Sequence, residues 1–203
     1  MDAARSFTYM FKQPGGVGKL VVAGLLLFIP ILGWALVAGY MVRTLREVAL
    51  GHDQLPAWDN LGDYLVKGLL VWVGGFIYQV PGIALGQVDG GGLSFLWSLV
   101  VWFVLPAAVT HFALTDDFGA FFQFERIWKY IQDNLNNYIL AVVLALAVVL
   151  IAPFGVILFI VGIVLTFAWA FMVIAHLYGS VYANRVLPEE ALTPPPAPPL
   201  PPQ

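Results

Sequence analysis

The sequence predicts an all-α, polytopic membrane protein in which six transmembrane helices form three hairpins, each preceded by an interfacial amphipathic helix. Composition is the first reason. The 203 residues are 61% hydrophobic and only 10% charged, whereas soluble domains carry about 25% charged residues. A core of this length could not hide so much apolar surface from water, so a bilayer is the predicted solvent. The other two reasons are the lengths of the apolar runs and the positions of the charges between them.

Apolar runs of span length recur along the chain, at residues 20–42, 68–86, 93–114 and 138–178. A transmembrane helix needs about 20 residues, so the last run is long enough for two helices. Pro153-Phe154-Gly155 is the predicted turn between them. The first run fits either one span or, with a turn near Pro30 and Gly33, two short helices.

Charge placement separates these two interpretations, because Lys and Arg concentrate in cytoplasmic loops. If the first run is a hairpin, all nine Lys and Arg residues fall on one side with both termini, and Asp89 is the one acidic residue opposite. We therefore predict a cell (inner) membrane protein with both termini cytoplasmic. The six predicted helices are residues 17–30, 32–50, 64–86, 93–114, 137–153 and 155–182. The first is short for an upright crossing, so a tilted or incompletely spanning first hairpin stays an alternative.

The segments that precede the three hairpins are alike, which predicts a threefold internal repeat. Each is aromatic and mildly charged: SFTYMFKQPGG from Ser6, AWDNLGDYLVKG from Ala57 and FQFERIWKYIQDNLNNY from Phe122. The repeats would cover about 6–50, 57–114 and 122–182 in one membrane domain, 1–185. Residues 186–203 are Pro-rich and are predicted to form a disordered cytoplasmic tail.

The third of these segments has the pattern of an amphipathic helix. Apolar residues recur there at three- and four-residue spacing, namely Phe124, Ile127, Trp128, Ile131 and Leu135. Beside a span, such a helix is predicted to lie in the membrane interface with its aromatic face towards the lipid. In the second segment, Asp59 is expected to cap a similar helix that begins after Pro56. Trp58 and Trp128 are the predicted partner-binding residues.

Glycines inside the spans predict close helix packing. Gly82 and Gly86 have the small-xxx-small spacing that lets helix backbones approach, and Gly74-Gly75 lie in the middle of the same span. We expect these contacts within the monomer rather than between two copies.

A family resemblance supports this architecture. The stretch from Gly39 to Leu69, GYMVRTLREVALGHDQLPAWDNLGDYLVKGL, resembles the signature of the prokaryotic membrane-protein family called domain of unknown function 4013. In that family a Gly-Tyr helix end leads through a basic helix into a Gly-x-x-x-Leu-Pro-x-Trp/Phe-Asp loop, here Gly51 to Asp59. The stretch FGAFFQFERIWKYIQDNLNNYILA is similar to the family's second block. The resemblance covers most of residues 6–185 and implies a multi-pass membrane protein with no assigned activity and no catalytic residues to transfer.

Alignment of the three repeats places Arg43, His111 and His176 near the cytoplasmic end of each second helix. Ionisable groups at membrane depth are candidates for function, and one interpretation is that the three converge on a lipid headgroup or another anion. Two alternatives stay open. All three residues could simply meet water at headgroup depth, or His111 and His176 could be the axial ligands of a haem. No further haem signal is present, and no cofactor is predicted.

Few other residues suggest chemistry. The chain has no cysteine, which removes thiol chemistry, iron–sulfur clusters and Cys-based zinc sites. Asp116 and Asp117 could be a metal pair, but we interpret them as the cap of the following helix, so no metal is predicted. His52-Asp53 lies in a solvated loop, and no catalytic motif is recognisable. A net charge of −3 without a basic run argues against nucleic acid as a partner.

These features favour a non-enzymatic scaffold or accessory subunit of a membrane complex. Its predicted partners are the lipid bilayer and either a larger complex or further copies of the chain, because interfacial helices and a Pro-rich tail offer partner surfaces. One alternative is a lipid-binding protein that uses Arg43, His111 and His176. The other is a transporter of small solutes or ions, which would need polar groups near the midplane. The polar residues within the spans are Tyr78, Gln79, Ser94, Ser98 and Thr166.

Overall fold

In a computed structural model of the protein, all regular elements of the described residues are helical. The described residues are 3–52, 54–89, 91–152 and 159–183. They form the α-helices α1 (Ala3–Thr8), α2 (Gly16–Leu27), α3 (Leu32–Ala49), α4 (Leu61–Asp89), α5 (Gly92–Thr115), α6 (Phe124–Asp133), α7 (Leu135–Ile151) and α8 (Phe159–Ala183). Two short 3₁₀ helices, Tyr9–Lys12 and Phe118–Phe122, follow α1 and α5.

A helix is present at each of the six positions where the sequence predicts one. The first apolar run is divided into α2 and α3 beside Pro30, because proline has no N–H to continue a helix. Ile31 follows with a φ of 65°, which turns the chain sharply. The predicted turn at Pro153-Phe154-Gly155 and the Pro-rich tail lie outside the described residues.

Three of the described helices are long and apolar enough to cross a membrane: Leu61–Val88, Gly92–Thr115 and Leu165–Tyr182. α6 and α7 meet the same criterion as a pair but are bent by 95° where they join, which gives up to four candidate spans. α2 is a shorter apolar helix of 12 residues, and the second half of α3 carries Arg43, Arg46 and Glu47. The chain thus has the helices of a membrane protein, and six full crossings stay a prediction.

The prediction of an amphipathic helix before the second hairpin is wrong. Residues 54–60 are non-helical, and α4 is one continuous helix from Leu61. Asn60, rather than Asp59, caps that helix, since its Oδ1 accepts a hydrogen bond from the N–H of Asp63 at 3.2 Å. The aromatic residues of this segment fix a loop against neighbouring helices instead of forming a helix of their own.

α8 is the central helix of the bundle. It packs against α1, α2, α3, α5 and α7, and 61% of the apolar window Leu165–Tyr182 is buried, against 22% for each of α4 and α5. Small residues allow this crowding. A Cβ placed on Gly179 would lie 2.8 Å from the carbonyl oxygen of Leu45 on α3. α4 and α5 consequently form an outer pair with an apolar outward face.

α3 and α4 approach each other more closely still, at two glycines. A Cβ on Gly39 would lie 1.7 Å from the carbonyl oxygen of Tyr64, and one on Gly68 would lie 1.8 Å from that of Ala35. Both obstacles are backbone atoms, so only glycine fits at either position. The two contacts are one helical turn apart on each helix, which fixes α3 antiparallel to α4 at this crossing.

Three of the glycines predicted to allow close helix packing make such contacts within the monomer. A Cβ on Gly82 would lie 2.7 Å from Trp97 Cδ1, and one on Gly86 would lie 3.3 Å from Ser94 Cβ. Both neighbours belong to α5, so this small-xxx-small pair packs inside the monomer, as expected. Gly74 receives the ring of Phe121, whose carbons would lie 3.0 Å from an added Cβ.

Candidate functional site: the polar end of the bundle

Charged residues from three helices form a network where α3, α4 and α5 meet, below called the charge network. Lys67 is its centre: Nζ lies 3.2 Å from Asp63 Oδ2 and 3.1 Å from Asp116 Oδ1. Arg46 Nη1 reaches Asp116 Oδ2 at 3.1 Å. The side chain of Lys67 is only 8% exposed, and a buried cationic group needs opposite charges beside it, which the two carboxylates supply. The charge network therefore ties the three helices together at one end.

The backbone at the end of α5 places Asp116 in this network. Asp116 has a φ of 58°, and its N–H donates to the carbonyl of Phe112 at 2.9 Å, which ends the helix. Asp117 then begins the next 3₁₀ helix, because its Oδ1 accepts from the N–H of Gly119 at 2.9 Å. Of the two acids, Asp117 is thus the cap that the sequence predicts, whereas Asp116 serves the charge network.

The loop that carries Trp58 is bound to the bundle from several sides. The indole stacks on the ring of Tyr40 with centroids 4.0 Å apart and an interplanar angle of 10°. Its Nε1 donates to the carbonyl of Lys19 at 3.2 Å. Tyr40 and Tyr64 donate their hydroxyl protons to the carbonyls of Pro56 and Ala57, at 2.9 and 2.6 Å. Trp58 is therefore half-buried and is held by contacts within the chain.

Trp128, the other predicted partner-binding residue, is exposed. Its exposed fraction is 54%, and Phe124, one turn earlier on α6, is 59% exposed. The remaining apolar residues of α6 behave differently, since Ile127 and Ile131 are buried in the core. The apolar face predicted for this helix is thus divided between the protein interior and a surface formed by Phe124 and Trp128.

Arg43, His111 and His176 each have different partners. Arg43 Nε donates to Glu47 Oε1 at 2.8 Å on the same helix, and its side chain is 43% exposed. His111 Nε2 lies 3.0 Å from Gln123 Oε1, just before α6. His176 is buried on α8. Convergence of the three on one anion therefore stays a prediction, and the contacts just given join each residue to its own neighbours.

His176 connects the N-terminal segment to the central helix. Its Nδ1 lies 2.8 Å from Ser6 Oγ and 3.1 Å from Ser180 Oγ, and the ring of Tyr9 packs on it at a centroid distance of 4.2 Å. Tyr9 also donates to the carbonyl of Met172 at 3.4 Å. Because Ser6 is fully buried, this Ser–His pair is a packing contact that no substrate in solvent could reach.

Four polar side chains of α4 and α5 donate hydrogen bonds within the chain. Tyr78 donates to the carbonyl of Phe121, and Trp97 Nε1 donates to the carbonyl of Tyr78 at 2.8 Å. Ser98 and Thr110 donate to backbone carbonyls one turn earlier, at 2.9 and 2.8 Å. Such bonds satisfy polar groups that would otherwise face hydrocarbon. Each bond uses the one proton that the group can donate.

The polar end of the bundle joins helices through ion pairs. Within the described residues, no cluster of three or more His, Asp and Glu side chains could hold a metal ion. The charge network was missed by sequence reasoning, although Asp63 and Lys67 have the four-residue spacing of a helical ion pair. Its other half depends on Asp116, which is distant in sequence and reaches Lys67 only through the packing of α4 against α5.

Comparison with known proteins gives a family but no activity. Residues 22–166 match the family described as Protein of unknown function (DUF4013). The chain is also similar to the uncharacterized protein MJ1189 of Methanocaldococcus jannaschii, with 24% identity over an alignment of 152 positions that covers 66% of this chain and 53% of that protein. The chain thus spans about half the length of this relative. No solved structure matches. Since the family match covers more than half of its residues, the chain belongs to the DUF4013 family.

Proposed function

We propose that this chain is a non-enzymatic integral membrane protein that acts as a scaffold or accessory subunit of a larger membrane assembly. The outward face of the α4–α5 pair carries the proposal. It exposes large apolar side chains along its length: Trp72, Val73, Phe76, Ile77, Val80 and Ile83 on α4, and Phe95, Leu96, Leu99, Val100 and Trp102 on α5. Large apolar and aromatic side chains can pack against other transmembrane helices as well as against lipid.

The interior supports a scaffold over a transporter. A transport pathway needs polar groups that can bind and release a solute near the midplane. Tyr78, Trp97 and Ser98 instead donate hydrogen bonds to the backbone of their own hairpin or of the 3₁₀ helix 118–122. Small residues of the central helix α8, among them Ala168, Ala170 and Ala175, are buried against its neighbours, which indicates close helix packing.

The cations support a single orientation, with both termini on the cytoplasmic face of the cell membrane. Arg46 and Lys67 share the carboxylate of Asp116 at one end of the bundle. Asp89 ends α4 at the opposite end, and the residues between Lys67 and Asp89 are uncharged. At a rise of 1.5 Å per residue this uncharged segment is about 32 Å long, close to the thickness of a bilayer core of about 30 Å.

The experiment is a mass measurement in lipid nanodiscs. A scaffold is expected to form particles of one defined protein stoichiometry above one copy, either with itself or with co-isolated subunits. The double variant Phe76→Ala/Phe95→Ala should break that assembly, because both side chains lie on the outward face. The matched control is Ile139→Ala/Val143→Ala on α7, whose side chains are comparably exposed and should leave the mass unchanged. Single copies in every preparation would contradict the proposal.

A second candidate function, lipid-headgroup binding, rests on Arg43. Its guanidinium is partly exposed and bonds Glu47 through Nε, and arginine binds phosphate through several N–H groups at once. The test is native mass spectrometry of the purified protein. The variant Arg43→Ala/His111→Ala should lose co-purified anionic lipid, and unchanged lipid retention would remove this candidate.

A further inference from the structure

The α2–α3 pair is joined by an unusually apolar tip. Large side chains at the tip point away from the protein, with exposed fractions between 47% and 66%: Leu25, Phe28, Ile29, Ile31, Leu32 and Trp34. No charged residue occurs between Leu20 and Val42. In water such a tip would be a costly apolar patch. It is instead suited to a medium of hydrocarbon.

Most backbone N–H groups of the tip are paired within the hairpin, as suits a segment in hydrocarbon. Backbone hydrogen bonds of 2.7–3.2 Å close it: Phe28 N to Leu25 O, Ile29 N to Leu26 O, Leu32 N to Pro30 O, Gly33 N to Ile29 O and Ala35 N to Ile31 O. Pro30 has no N–H to satisfy. Trp34 Nε1 donates to the carbonyl of Leu27 at 3.0 Å, which caps the last turn of α2 with a side chain rather than with water.

The turn itself is narrow. Ile31 has φ 65° and ψ −66°, and the bond from Leu32 N to Pro30 O encloses it in a three-residue γ-turn. A β-branched residue in this conformation is strained, at a cost of about 1–3 kcal/mol. The strain is tolerated at this turn, which reverses the direction of the chain between two apolar helices within very few residues.

The arms of this hairpin are too short to cross a bilayer. At the base, Trp58 bridges them, because it bonds the carbonyl of Lys19 on α2 and stacks on Tyr40 of α3. From Lys19 to the end of α2, and from Tyr40 back to the start of α3, the helices rise about 12 Å. A bilayer core is about 30 Å thick, so the tip ends within one leaflet when the base lies at the interface.

The polar contacts of the base agree with this depth. Lys19 Nζ donates to the carbonyl of Leu55 in the polar loop, and Gly39, next to Tyr40, lies against Tyr64 of α4, one turn before Lys67. The base of the hairpin is therefore level with the charge network. That network belongs at the membrane surface, because Arg46 and Asp116 are partly exposed and an exposed charge in hydrocarbon is costly.

From these observations we infer that the α2–α3 hairpin is a re-entrant element that inserts its apolar tip among the acyl chains of one leaflet and does not cross the membrane. The crossing helices are then α4, α5, α7 and α8. Both ends of the hairpin remain on the face that carries the cations, so the orientation is the same as for six crossings. The hairpin adds protein volume to one leaflet only.

The absence of cysteine makes the test direct. Ile31→Cys and Phe28→Cys report on the tip, Gln54→Cys on the polar loop beside the base, and Val88→Cys on the far end of α4. Each variant is reconstituted into sealed vesicles and treated with a membrane-impermeant maleimide from either side. The inference expects Gln54→Cys and Val88→Cys to react from opposite sides. Neither tip variant should be labelled from either side until detergent is added.

A second measurement identifies what covers the tip. The tip cysteines are labelled with bimane in detergent before reconstitution, and quenching by lipids with acyl-chain nitroxides is compared with quenching by headgroup nitroxides. Stronger quenching by the acyl-chain nitroxides supports the inference. Labelling from the side on which Val88→Cys reacts would show a full crossing and overturn it. Labelling from the side on which Gln54→Cys reacts would place the tip in water. Protection from labelling without quenching by lipid nitroxides would mean that protein covers the tip. Either result overturns the inference.

Discussion

Gly68 shows how a single residue decides the closest helix contact of this protein. An added Cβ would lie 1.8 Å from the carbonyl oxygen of Ala35, a backbone atom that cannot rotate away. We expect Gly68→Ala to separate α3 from α4 and to lower the free energy of unfolding by about 3 kcal/mol or more. The measurement is reversible unfolding in mixed micelles with increasing SDS.

Gly75→Ala is the matched control on the same helix. Its Cβ would meet only Leu105 Cδ2 at 3.6 Å, an ordinary contact, and alanine favours a helix over glycine by up to about 1 kcal/mol. This variant should therefore be neutral or slightly more stable. Similar losses for the two variants would show that the backbone approach is not what limits residue 68.

Lys67 gives a second prediction at this scale. Replacing it by methionine leaves Asp63 and Asp116 without the cation that they share, at a site where the lysine side chain is only 8% exposed. Breaking a buried ion pair costs about 3–5 kcal/mol, and partial exposure of the two carboxylates should reduce this to about 1–3 kcal/mol. The loss should appear in the same SDS unfolding experiment, and adding Asp63→Asn should recover part of it.

Arg43→Met is the control for Lys67→Met. Arg43 is 43% exposed and pairs with Glu47 along one helix, where an ion pair contributes only about 0.3–0.5 kcal/mol. Its removal should barely change the unfolding free energy. A loss for Arg43→Met as large as that for Lys67→Met would contradict the central position assigned to Lys67 in the charge network.

Ion pairs along one helix and glycines at helix crossings differ in how far they could be predicted. Arg43 and Glu47 have a spacing that predicts their pair, and the pair is present. The glycines at positions 39 and 68 carry no such signal, because their importance depends on which helices cross at those points. The partner of Lys67 on α5 is hidden for the same reason. Sequence spacing reports contacts along a helix, but it does not say which distant helix a residue will meet.

Among the elements, α6 offers the clearest prediction. It exposes Phe124 and Trp128, buries Ile127 and Ile131, and meets α7 at a bend of 95°, as expected of a helix that lies along the membrane surface. Bimane on Trp128→Cys should therefore be quenched by nitroxide lipids in vesicles. Bimane on Arg126→Cys, on the opposite side of the helix, should be quenched far less. Equal quenching at both positions would mean that α6 does not rest on the bilayer.

The helices before the hairpins show where pattern reasoning succeeds and where it fails. α6 has a strong three- and four-residue periodicity, and it is a helix in the structure. The segment from Ala57 has similar aromatic composition but only a few residues before α4 begins, and Trp58 there gains more by stacking on Tyr40 and bonding Lys19. Composition alone does not separate an aromatic loop from an aromatic helix, because tertiary contacts decide between them.

At the scale of the whole molecule, helix positions could be predicted but crossings could not. Apolar run length locates α4, α5, α7 and α8 well, since a span has a fixed minimum length. The first run is long enough for a span in sequence, yet Pro30 and the γ-turn at Ile31 divide it into two helices. Whether two short helices cross or turn back depends on their depth, and depth is set by contacts with Trp58 and α4.

The orientation of the whole chain gives the final prediction, and it holds for either behaviour of the first hairpin. Arg46 and Lys67 lie in the charge network at one end of the bundle. Because Lys and Arg concentrate in cytoplasmic loops, the loop at Gln54 and the exposed residue Arg126 should share the cytoplasmic face. Val88, 83% exposed at the other end of α4, should lie outside. In right-side-out membrane vesicles, impermeant maleimide should label Val88→Cys, whereas Gln54→Cys and Arg126→Cys should react only in inverted vesicles. If Gln54→Cys and Arg126→Cys reacted from opposite faces, α4 and α5 could not form a crossing pair, and the outward face proposed for assembly would lose its basis.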